Sequence, residues 1–66
     1  MNRDGAEEIV RMLMRAANEM VATLDVCRAH ASEEELKRHT KAVGAVMFAI
    51  DDVLRTITNE HPDLHP

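Results

Sequence analysis

The chain has 66 residues, a net charge of −4, one cysteine, one phenylalanine, and neither tryptophan nor tyrosine. That length holds one domain at most, and a lone cysteine excludes an internal disulfide. The acid excess argues against nucleic acid as the main ligand. No apolar run approaches the ~20 residues a bilayer crossing needs, and "MNRDGAEE" lacks the apolar core of a signal peptide, so the expected location is cytoplasmic with no membrane association.

In chain order, Asp4 is the first candidate helix cap, with Glu7 three residues on in the manner of a capping box. Helix 1 is expected over about residues 5–30. Counting heptads with a at Val10, its a/d seam is Ala6, Val10, Leu13, Ala17, Met20, Leu24, Cys27 and Ala31, all apolar. A turn follows at about 31–32. Ser32 and Glu35 form a second capping box, and Glu33, Glu34 and Glu35 suit the positive end of a helix dipole. Helix 2 is expected over about 33–60, stopped by Pro62. With a at Thr40, its seam is Leu36, Thr40, Val43, Met47, Ile50, Leu54 and Ile57, and only Thr40 is polar. Residues 61–66 read as a tail, partly ordered at best. So short a link permits only antiparallel neighbours. The predicted fold is therefore all-α, a two-helix antiparallel hairpin forming a single domain.

Those seams leave apolar residues over. Met14 and Val21 sit at e positions of helix 1, with Ile9 and Ala16 at g, while Val46 and Val53 sit at g in helix 2. A two-stranded seam needs only a and d, whereas bundle helices carry wider apolar arcs. A domain this small is also marginal alone, and without disulfides oligomerisation is the usual remedy. The expectation is a homodimer of hairpins, a four-helix bundle.

The uncharged run "AVGAVMFAI" raises a second possibility on the outer face of helix 2. There the order is basic (Lys37, Arg38, Lys41), then small and apolar (Gly44, Ala45, Phe48), then acidic (Asp51, Asp52) with Arg55 beyond. Arg38 and Asp52 are equidistant from Ala45, so the stripe is complementary to an antiparallel copy of itself. The plainer alternative is a solvated face with local pairs such as Glu34–Arg38 and Asp51–Arg55.

Chemistry-bearing residues are sparse. Cys27, His30 and His39 could approach one another near the turn, but their spacing matches no metal motif. His61, Asp63 and His65 alternate in the tail and read more readily as solvated. Ser32 is explained as a cap, and no nucleophile with an oriented base and no phosphate loop is present. No catalytic residue, metal or cofactor is expected. "KRHTK" is the only basic cluster. In length and in its helix–short turn–helix plan the chain is similar to the small Rop-type RNA-binding proteins, with no shared motif. That likeness implies an RNA-binding four-helix bundle as one alternative, and a metal-binding helical protein is another. The reading best matched to the residues is a non-enzymatic, homo-oligomeric interaction module, an adaptor or regulator with room for a protein partner.

Overall fold

The computed structural model describes residues 1–64. Two helices, α1 (Arg3–His30) and α2 (Glu33–Glu60), pack side by side, and a short 3-10 turn over Pro62–Leu64 follows. The rod measures 45 × 15 × 14 Å. No described helix is long and apolar enough to cross a membrane.

Local chemistry sets each helix end. α1 begins two residues before the expected start, because Asn2 rather than Asp4 is its cap. Asn2 is extended, and its Oδ1 accepts from the Gly5 N–H at 2.8 Å. Asp4 falls instead in the first turn, where its charge faces the helix dipole. At the other end the Ala31 N–H still reaches the Cys27 carbonyl at 2.8 Å. Ser32 then opens α2 with a complete capping box. The Glu35 N–H donates to Ser32 Oγ at 3.2 Å, and the Ser32 N–H donates to Glu35 Oε1 at 2.9 Å. The Ser32 N–H foremost, and then the Ser32 side chain, hold the Glu35 carboxyl below its usual range.

Packing follows the seams. All eight α1 seam residues are buried or half-buried, as are six of the seven in α2. Thr40 is exposed, and its hydroxyl donates to the Leu36 carbonyl of its own helix at 2.8 Å. Among the described residues, Ala6, Ala17, Val43, Leu54 and Ile57 are the buried apolar side chains, joined by Thr58. The interior is thus one layer of small and mid-sized side chains, with Leu13, Met20, Met47 and Ile50 half-covered.

The tail does not simply trail away at residue 61. Arg3 Nε donates to Asp63 Oδ2 at 2.7 Å while its Nη1 holds Glu7 at 2.9 Å. The His61 Nε2–H donates to the Met1 carbonyl at 3.3 Å, and Leu64 is half-buried. The 3-10 turn is thereby clasped against the start of α1.

Candidate oligomer interface

The hairpin exposes 4957 Å². A compact monomer of 7.4 kDa would expose about 4,200 Å² by the usual scaling of area with mass. The excess is similar to the ~800 Å² that each partner contributes to a standard protein interface.

One interhelical hydrogen bond gives the register of the two helices. Thr23 Oγ1 and His39 Nε2 are 2.8 Å apart. The Thr23 hydroxyl has a single proton, and it points at the Met20 carbonyl, 2.6 Å away. His39 is therefore the donor, through Nε2–H. Stepping seven residues at a time, two helical turns, keeps to one side of a helix. From Thr23 this gives Ala16 and Ile9, and from His39 it gives Val46 and Val53. Since the helices run antiparallel, Thr23–His39, Ala16–Val46 and Ile9–Val53 are successive rungs of one face. Met12, more than half exposed, borders it. Val46 and Val53 are 40% and 47% exposed. These rungs carry no formally charged residue.

The opposite face is different in kind. Met14 and Val21, 37% and 49% exposed, lie on the other side of the α1 seam. They share that side with Glu7 and Arg28, and face Lys37, Gly44 and Asp51 of α2. The six flank residues named from the sequence thus divide, Ile9, Ala16, Val46 and Val53 to the uncharged face and Met14 and Val21 to the charged one.

Comparison with known protein families, curated proteins and solved structures finds no match.

The remaining candidates occupy the outer side of α2. Phe48 is 70% exposed, and a Cβ built on Gly44 would meet nothing within 4 Å. Lys37, Arg38, Lys41, Ala45, Asp51 and Asp52 are all exposed. Asp51 is bound by Arg55, as the i,i+4 spacing suggests. Among the described residues the alternative Glu34–Arg38 pair does not form, whereas Glu7 pairs with Arg11 at 3.5 Å. Among the described residues Lys37, Arg38, Lys41 and Asp52 have no ion-pair partner.

The metal candidates are not brought together. No group of three or more potential ligands occurs among the described residues. His39 is turned to Thr23, Cys27 fills its half-buried seam position, and Asp63 is taken by Arg3. His65 lies outside the described residues.

Proposed function

We propose that this protein is a non-enzymatic interaction module whose hairpins pair through the face formed by Ile9, Ala16, Val46 and Val53, giving a four-helix bundle that acts as an adaptor or regulator. The observation that carries this reading is an apolar, uncharged face on a molecule whose surplus surface is about one partner's share of a standard interface. A second copy is the occupant that the area fits. Two such faces stacked would convert a single layer of side chains into a core with two layers, in the manner of bundle proteins. Burying the exposed parts of Val46 and Val53 contributes hydrophobic stabilisation of roughly 25 cal/mol per Å² covered.

Sedimentation equilibrium at micromolar concentration tests this. The wild type should have the mass of two chains or more, and Val46→Asp should lower it. Val46 is already partly solvated, so the variant should remain helical by circular dichroism. A wild type that stays at one chain throughout would defeat the proposal.

An RNA-binding role has one observation in its favour, the cations Lys37, Arg38 and Lys41, which have no ion-pair partner among the described residues. Against it stand the net charge of −4 and three consecutive glutamates just before them. A mobility shift at low salt, where phosphate contacts are strongest, would have to be positive for this reading to replace the first.

A further inference from the structure

We infer that the outer side of α2 is a second, independent two-fold contact between copies of this chain, joining bundles to one another. Phe48 is the most exposed of the large apolar side chains. It lies about 120° around the helix from Leu54 in the seam, so neither α1 nor a partner on the Val46–Val53 face reaches it.

The charges around it select the occupant. Arg38, Ala45 and Asp52 are spaced by sevens and form the outermost line of the helix. A two-fold axis through Ala45, perpendicular to the helix, sets Arg38 of each copy beside Asp52 of the other. Phe48 then meets the stem of Lys41 and the open space at Gly44 across the axis. A parallel arrangement would place Arg38 against Arg38 and Asp52 against Asp52, which is repulsive at both ends. These side chains have no competing ion pairs among the described residues, and Gly44 leaves open space beside the ring. An isologous contact needs a surface complementary to itself, and this one is.

The contact uses residues separate from those of the bundle face, so the two are tested separately by sedimentation over a range of concentrations. The wild type should pass from two chains to four or more as concentration rises, and Phe48→Asp should stop at two. In a Val46→Asp background, pairing through the outer side should persist and be abolished by adding Phe48→Asp. Arg38→Asp and Asp52→Arg should each weaken the higher association on the order of ten-fold or more. The double exchange Arg38→Asp/Asp52→Arg should restore it, since complementarity is regained with the signs reversed. If Val46→Asp has no effect but Phe48→Asp gives single chains, the outer contact stands and the bundle face fails. A wild type that never exceeds two chains, with a mass unchanged by Phe48→Asp, overturns the inference. So does a double exchange no better than either single change.

Discussion

Arg3 and Asp63, sixty positions apart, meet at 2.7 Å and fasten the end of the described chain to its beginning. The guanidinium bond is the main reason the Asp63 carboxyl sits below its usual range. The sign of the pH effect follows. A carboxyl whose folded value is depressed contributes stability above the unfolded aspartate value of about 3.9, and loses it as pH falls through the lower folded value. Asp63 should therefore titrate below 3.9 by NMR, and the Leu64 amide should lose protection over the same acid range. Asp63→Asn should expose that amide at neutral pH. Because the pair is half in solvent, the melting of the two helices should scarcely change. An unperturbed Asp63 midpoint would show that the clasp does not persist in solution.

The Ser32–Glu35 box should matter more to the fold. Ser32→Ala removes the acceptor for the Glu35 N–H, and caps of this kind contribute typically ~1 kcal/mol. Urea denaturation should show that loss with little change in the slope. Glu35, held low by Ser32, adds a contribution that fades below about pH 4.3 as its carboxylate is protonated. A Ser32→Ala variant as stable as wild type would mean that water replaces the cap without cost.

Among the described residues, Thr23 and His39 form the one hydrogen bond between side chains of the two helices away from the clasped end. A double-mutant cycle with Thr23→Val and His39→Leu should return a coupling of about 0.5–1.5 kcal/mol. A coupling near zero would remove the anchor that relates the two faces.

Gly44 lies mid-helix with open space where a Cβ would stand. Gly44→Ala should raise stability by roughly 0.5–1 kcal/mol, the cost of glycine within a helix. A destabilised alanine variant would indicate that something already occupies that space.

Much of the hairpin was legible because its signals are local. The a/d periodicity named every buried apolar residue, and Ser32 with Glu35 marked the start of α2 to the residue. The N-terminus was less readable, since Asn2 and Asp4 are both competent caps and only the backbone path decides between them. Thr58 escaped because a seven-residue count departs from a 3.6-residue turn, and the error grows toward the helix end. The division of Met14 and Val21 from Val46 and Val53 was latent in the heptad letters. Antiparallel helices place g beside g and e beside e, a relation that treating all flank residues as one set conceals. The clasp was not anticipated because Asp63 was weighed beside its neighbours in sequence, while its partner, Arg3, lies at the far end of the chain.

The clasp and the two-residue turn close opposite ends of the same rod. A few added glycines spanning from Leu64 to Met1 would make the backbone an unbroken loop, and a cut between Ala31 and Ser32 would reopen it with α2 leading. Such a rearranged molecule should recover the same pair of rods, because the fold depends on the seam between them and not on the order in which they are synthesised.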